Sequence, residues 1–113
     1  MISIVIPAYN EEKFISTLLE SLATQEIDEP VEVVVADANS KDKTREVVAS
    51  FRGKFAKLAV VAGGMPAVGR NKGARASSGN PIVFLDADME VPDRAFLARN
   101  VGYFRLHHLG AAT

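Results

Sequence analysis

The apolar and polar positions of this chain alternate between two periods. Ile2-Ser3-Ile4-Val5-Ile6 is a nearly unbroken apolar run, the pattern of a strand covered on both faces, and Pro7-Ala8-Tyr9-Asn10 breaks it. From Glu11 onward Phe14, Ile15, Leu18, Leu19, Leu22 and Ala23 recur at helical spacing, with Glu12, Lys13, Ser16, Glu20 and Ser21 mostly on the other side. The spacing predicts an amphipathic helix with Asn10 as its N-cap. After a polar connection, Glu26 to Pro30, the β-branched run Val31 to Ala36 predicts a second strand ending at Asp37. Turn-forming residues follow, and Thr44, Val47, Val48, Phe51 and Phe55 form a second helical stripe that Gly53 weakens near its end. Leu58 to Ala62 predicts a third, short strand, and Gly63-Gly64-Met65-Pro66 a turn with Pro66 near a helix start. Ala67 to Ser77 reads as a helix carrying Arg70, Asn71, Lys72 and Arg75, stopped by Ser78-Gly79-Asn80-Pro81. Ile82 to Leu85 predicts a fourth strand, and Pro92 opens a last helix with Phe96, Leu97, Val101 and Phe104 as its apolar stripe. Gly110-Ala111-Ala112-Thr113 reads as a frayed tail.

Strand and helix in alternation imply parallel strands joined by crossover helices, an α/β Rossmann-like layer fold. In such a sheet every strand ends on the same edge, where ligands bind. Tyr9-Asn10-Glu11, Asp37, Gly63-Gly64 and the pair Asp86 and Asp88 therefore gather along one rim. The pair is the most telling member. Side chains two apart on an extended backbone share a side, so Asp86 and Asp88 converge on one ligand, and Mn²⁺ or Mg²⁺ with phosphate oxygens suits two carboxylates. An aromatic ring for a base, acids for base N–H or ribose hydroxyls and a metal pair together describe a nucleotide-diphosphate site. Arg70, on the helix after the glycine turn, adds a planar charged fork for phosphate, and the amides at that helix N-terminus also favour an anion. Solvated side chains are the ordinary state of Lys41, Lys43 and the His107-His108 pair.

With 113 residues the chain is one domain, 1–113, with one core. Thirteen basic against 14 acidic residues leave a formal net charge of −1, with no global attraction to nucleic acid or an anionic membrane, so anion binding must be local. Cysteine is absent, which excludes disulfides and thiolate metal sites and is compatible with a cytoplasmic location. Met1 to Ile6 lacks a basic n-region, so no signal peptide is expected, and no apolar run approaches the roughly 20 residues of a membrane span.

Four stretches in order resemble a known family: Ile6-Pro7-Ala8-Tyr9-Asn10-Glu11-Glu12; Asp37 with Ser40, Asp42 and Thr44; Gly69-Arg70-Asn71-Lys72-Gly73; and Asp86-Ala87-Asp88. They are similar to the ordered motifs of family 2 glycosyltransferases of the GT-A fold, and the resemblance covers nearly the whole chain. It implies that Ala8, Tyr9 and Glu11 border the nucleoside, with Tyr9 near the base. It further implies Asp37 on the base, usually uracil, Arg70 near the diphosphate, and Asp86 facing the ribose or sugar. Asp88 would ligate Mn²⁺ or Mg²⁺ between the phosphates. The implied activity is inverting transfer of a sugar from a UDP-sugar to an acceptor hydroxyl. Where the family commonly has a second acid and a glycine stand Ala38 and Asn39. The family's acceptor-binding half follows the Asp-x-Asp strand and supplies the base that takes the acceptor's proton. No residue of this chain matches that base, and neither Glu90 nor Asp93 is nominated. A homo-oligomer or a partner chain covering the missing half is the corresponding expectation. Two other classes stay in view: a non-catalytic nucleotide-binding or interaction module that keeps the fold, and a receiver-like signalling domain. The receiver reading needs an acid at the end of the strand Leu58 to Ala62, which has none. A dinucleotide oxidoreductase lacks its glycine fingerprint.

Overall fold

A strand with no polar face must lie inside a sheet, and the two strongest apolar runs do. In the computed structural model, which describes residues 1–112 and side chains through His107, β1 (Ile2–Ala8) and β2 (Val31–Asp37) are central and almost wholly buried. β3 (Lys57–Ala62) flanks β2, β4 (Ile82–Phe84) flanks β1, and all pairings are parallel in the order β3-β2-β1-β4. The parallel α/β layer expected from alternation is therefore present. β1 and β2 run in register from Ile2 opposite Val31 to Ala8 opposite Asp37, so their ends emerge side by side.

The two faces of the sheet are covered differently. Ile4, Ile6, Val33 and Val35 form the core with Ile15, Leu18, Leu19 and Leu22 of α1 (Ile15–Ala23), Val48 of α2 (Thr44–Ala49) and Leu97 of α4 (Phe96–Ala112). Burying such side chains stabilises by about 1.5–3 kcal/mol each before chain entropy is counted. On the opposite face lies α3 (Pro66–Ala76), whose buried positions are Gly69 and Gly73. The missing side chains allow a close approach. A Cβ on Gly73 would stand 2.3 Å from Val5 Cγ1, and one on Gly69 3.3 Å from Pro7 Cβ.

Several boundaries depart from the sequence reading. Phe14 is exposed, and regular α1 starts at Ile15 after a turn in which the Phe14 and Ile15 N–H groups donate to the Glu11 carbonyl. Asn10 is not the N-cap of α1; its backbone is left-handed, with φ 50°, and its side chain faces another loop. α2 stops at Ala49; Val47 packs against the core from within it, and Phe51 and Phe55 do so from the turns that follow, with Gly53 at φ 88°. β4 is three residues long, extended by the Leu85 N–H donating to the Val5 carbonyl at 3.1 Å, and Phe84 is 46% exposed at the uncovered edge. Pro92 precedes α4 by a loop, and Asp93 caps the helix by accepting the Ala95 N–H. Phe104 lies largely outside the core while Leu97 and Val101 are buried. Helix α4 continues to Ala112, whereas Thr113 and the side chain of His108 lie outside the described residues.

At the N-terminal edge of the sheet, away from the rim, Glu32 is completely buried. Ser3 Oγ donates to its Oε1 at 2.6 Å, the Ser78 N–H at 2.7 Å, and Lys57 Nζ lies 3.4 Å from Oε2. Ser3 Oγ also accepts the Gly79 N–H, so one carboxylate ties two strands to the loop between α3 and β4. Arg105 of α4 clamps the same edge, donating to both carboxylate oxygens of Glu29 and to the Asn80 carbonyl. Among the described residues no helix is long and apolar enough to cross a membrane.

Candidate functional site

Because β1 and β4 are parallel neighbours, the residues that follow them open onto one cleft. Its volume is about 300 Å³, and Pro7, Ala8, Tyr9, Glu11, Gly64, Pro66, Asp86, Ala87 and Asp88 line it. Five of the seven residues singled out from sequence, Ala8, Tyr9, Glu11, Asp86 and Asp88, thus share a single cavity. Tyr9 is 52% exposed, its ring on the wall. Asp86 and Asp88 do not sit on extended strand as expected. The Met89 N–H donates to the Asp86 carbonyl at 3.1 Å and closes a turn, which nonetheless buries Ala87 and leaves both aspartates exposed.

The cleft concentrates negative charge. Burial, followed by the charges of Asp88, Asp42 and Asp86, pushes the Glu11 carboxyl above its ordinary 4.5. Neither Asp86 nor Asp88 has a cationic partner among the described residues. Excess carboxylate without a protein counter-ion is the electrostatic condition that a divalent cation relieves. No group of three or more metal-ligating side chains converges among the described residues, so the protein offers no complete cage. One or two carboxylates, with phosphate and water completing the shell, is the donor set that Mg²⁺ ordinarily takes.

Opposite the acids stands the start of α3. Met65 at its N-cap makes no side-chain hydrogen bond and Pro66 occupies the first turn, so amides of that turn stay free for an anion. Gly64 and Pro66 bring this end to the cleft. Arg70 lies a turn further along, half-buried, without an acid partner among the described residues, and is not on the cleft wall.

Asp37 is also set apart. It is 4% exposed and lines a neighbouring depression with Asn39, Arg45, Val60, Val61 and Ala62. Its carboxylate accepts the Ser40 hydroxyl at 2.5 Å and the Ser40 N–H at 3.0 Å, and Arg45 Nε lies 3.7 Å away. Ala38 and Asn39 stand in the turn so formed, and Asn39 takes the left-handed conformation at φ 61° that asparagine tolerates.

Sequence reasoning missed the way the rim loops are joined. The Asn10 N–H donates to Ser40 Oγ, the Lys41 N–H to Asn10 Oδ1, the Glu11 N–H to Thr44 Oγ1 and the Glu12 N–H to Asp42 Oδ2, at 2.8–3.2 Å. The amides that open the first helical turn are thus capped by side chains some thirty positions away. Ser40, Asp42 and Thr44 were visible as a pattern, but their partners were not.

Comparison with known proteins gives a consistent result. A sequence model described as glycosyl transferase family 2 matches residues 3–112. An uncharacterized glycosyltransferase of Bacillus subtilis, YfnE, is 38% identical over 89 residues, covering 77% of this chain and 23% of the relative. Staphylococcus aureus TarS, a poly(ribitol-phosphate) beta-N-acetylglucosaminyltransferase, is 37% identical over 91 residues, covering 76% of this chain and 16% of the relative. The crystal structure of TarS residues 1–349 with UDP superposes with a TM-score of 0.83 at 32% identity, over 95% of this chain and 32% of that one. A mannosyltransferase of Pyrobaculum calidifontis in complex with GDP-Man and Mn²⁺ gives 0.79 at 31% identity, over 91% of this chain and 32% of that one. The fold matches that of GT-A glycosyltransferases. The chain spans about a quarter or less of the length of the two curated relatives and about a third of the two solved chains.

Proposed function

Since this chain belongs to glycosyl transferase family 2, we propose that it is the donor-binding part of a glycosyltransferase. It binds a nucleotide-diphosphate sugar, a UDP-sugar in this reading, for inverting transfer to an acceptor hydroxyl. The observation that carries the proposal is the single cleft in which Tyr9, Glu11, Asp86 and Asp88 face the free N-terminal turn of α3. Supporting it, TarS is described in complex with UDP and with UDP-GlcNAc, and the Pyrobaculum enzyme with GDP-Man and Mn²⁺.

In this reading Tyr9 lies against the base and Ala8 and Glu11 border the nucleoside. Asp37 reaches the base edge from its neighbouring depression. Asp86 meets the ribose or sugar, and Arg70 and the α3 amides attract the diphosphate. Asp88, with Asp86 beside it, holds Mn²⁺ or Mg²⁺. A bound cation there supplies countercharge for the departing nucleoside diphosphate. Asp93 is committed to capping α4 and to Arg99, which removes it from the acids available to deprotonate an acceptor. Binding and transfer are therefore separate questions for this chain.

Calorimetric titration with UDP, with and without Mn²⁺, tests the proposal. Expected is Mn²⁺-dependent binding that Asp88→Ala weakens by at least about tenfold while urea unfolding stays near wild type, because the Asp88 side chain is exposed and has no ion-pair partner among the described residues. Equal UDP affinity in the two proteins would remove the metal role, and no UDP binding by the folded wild type would remove the nucleotide site.

A further inference from the structure

The join between the rim loops has a centre. Asn10 grips the loop after β2 from both ends of one residue, its N–H donating to Ser40 Oγ at 2.9 Å and its Oδ1 accepting the Lys41 N–H at 2.8 Å. This double grip requires the backbone to reverse, and φ 50° at Asn10 does so. Ser40, 3% exposed, passes the contact on through its hydroxyl to Asp37 Oδ1. The direction cannot flip. A backbone N–H donates into the Ser40 oxygen, so the hydroxyl hydrogen is left for the carboxylate. Two consecutive hydrogen bonds therefore connect the residue after Tyr9 to the Asp37 carboxylate.

These bonds are not needed to align the strands. β1 and β2 are already held by a full ladder from Ile2 opposite Val31 to Ala8 opposite Asp37, and the path begins where that ladder ends. What it fixes is the spacing between the wall made by Tyr9 and Glu11 and the carboxylate of Asp37, which line separate hollows of the same rim. A ligand that reaches both hollows needs that spacing set before it arrives, since ordering the loops on binding would cost affinity.

We propose that Asn10 and Ser40 are positioning residues for the nucleotide, locking the Tyr9 wall to Asp37 so that both meet one ligand at a fixed separation. The inference rests on the nucleotide-binding reading above. Neither residue needs to touch the ligand.

The test uses the whole chain, UDP with Mn²⁺ as the probe, calorimetry for affinity and amide hydrogen exchange for the loops. Asn10→Gly keeps the left-handed backbone and removes only the side-chain acceptor; Asn10→Asp restores an acceptor; Ser40→Ala cuts the path at its centre. Expected is about a tenfold loss of UDP affinity in Asn10→Gly, at least as large a loss in Ser40→Ala, and recovery toward wild type in Asn10→Asp. Exchange at the Lys41 amide should quicken in Asn10→Gly and slow again in Asn10→Asp, with the β1–β2 ladder unchanged. Glu32→Gln, at the far edge of the sheet, controls for stability alone. If wild type binds UDP and Asn10→Gly binds it equally, or if Glu32→Gln loses as much affinity, the positioning role is overturned. A folded wild type that binds no UDP overturns the nucleotide site itself and the positioning role with it.

Discussion

Replacing Gly73 by leucine is expected to abolish cooperative folding, and Gly73→Ala to lower stability by up to about 2 kcal/mol in urea unfolding. The opposing terms can be weighed. Alanine gains about 1 kcal/mol of helix propensity over glycine. Against that, the new Cβ would lie 2.3 Å from Val5 Cγ1, inside any real carbon–carbon contact. Val5 is fully buried and β-branched, in the strand that pairs on both sides, so it has little room to rotate away. Overpacking of this kind typically costs about 1–3 kcal/mol for a small intrusion, and leucine adds three more carbons along the same line. A double variant, Gly73→Ala with Val5→Ala, should lose less than the sum of the two single changes, because each relieves the other. Gly102→Ala in α4 serves as the contrast. Nothing lies within 4 Å of the Cβ it would gain, so it should stabilise by about 0.5–1 kcal/mol. Stability alone would not exhaust the effect at Gly73. Because α3 carries Gly64 and Pro66 to the cleft at its N-terminus, lifting it from β1 would move one wall of the site.

Glu32→Ala is expected to cost about 2–3 kcal/mol, mainly because the buried Ser3 hydroxyl and the Ser78 amide lose a charged acceptor, while Lys57, 56% exposed, returns to water. The loss is concentrated because one buried side chain serves several partners, of which Ser3 is itself buried. Ser3 Oγ, the Ser78 N–H and Ser78 Oγ would lose their acceptor, and Lys57 its counter-charge. Burial raises the proton affinity of Glu32, but the hydrogen bonds from Ser3 and Ser78 and the Lys57 ammonium outweigh it and hold the carboxyl below its ordinary 4.5. A depressed carboxyl stabilises the fold above its unfolded value, and that contribution is lost as pH falls through the folded value. Stability should therefore decline on acidification below about 4.5, and Glu32→Gln should flatten that part of the profile. Glu11 works in the opposite sense. Its raised proton affinity means that ionisation near neutral pH costs stability, so its replacement would not reproduce the acid limb. Chemical unfolding across pH 3 to 7 checks both statements, and an acid limb of equal slope in Glu32→Gln would refute the role given to Glu32.

The candidate site was legible to the extent that it depends on where strands end. Once four apolar runs are separated by helical stripes, the parallel sheet follows, and with it the gathering of Tyr9, Glu11, Asp86 and Asp88 at one edge. Asp37 lies on the same edge but in a neighbouring hollow, since β2 lies one strand further from β4 than β1 does. Glu32 was unreadable for a different reason. A single polar residue in a β-branched run gives no sign of being buried, because its partners come from elsewhere in the chain, Ser3 from β1, Lys57 from β3 and Ser78 from the loop before β4.

The sequence by itself determined the alternation of elements, the parallel sheet and the rim on which the acids lie. These depend on hydrophobic period and chain connectivity, which are local quantities. Only the tertiary structure decided which polar groups meet. Asn10 looks like a helix cap because asparagine often caps helices, yet it faces Ser40 and Lys41, and the first amides of that helical turn go to Thr44 and Asp42. Backbone N–H groups must be satisfied, but which side chain does so is fixed by which strands are neighbours in the sheet. Likewise Gly73 is an unfavourable residue by helix propensity and becomes the required one because Val5 stands directly beneath it.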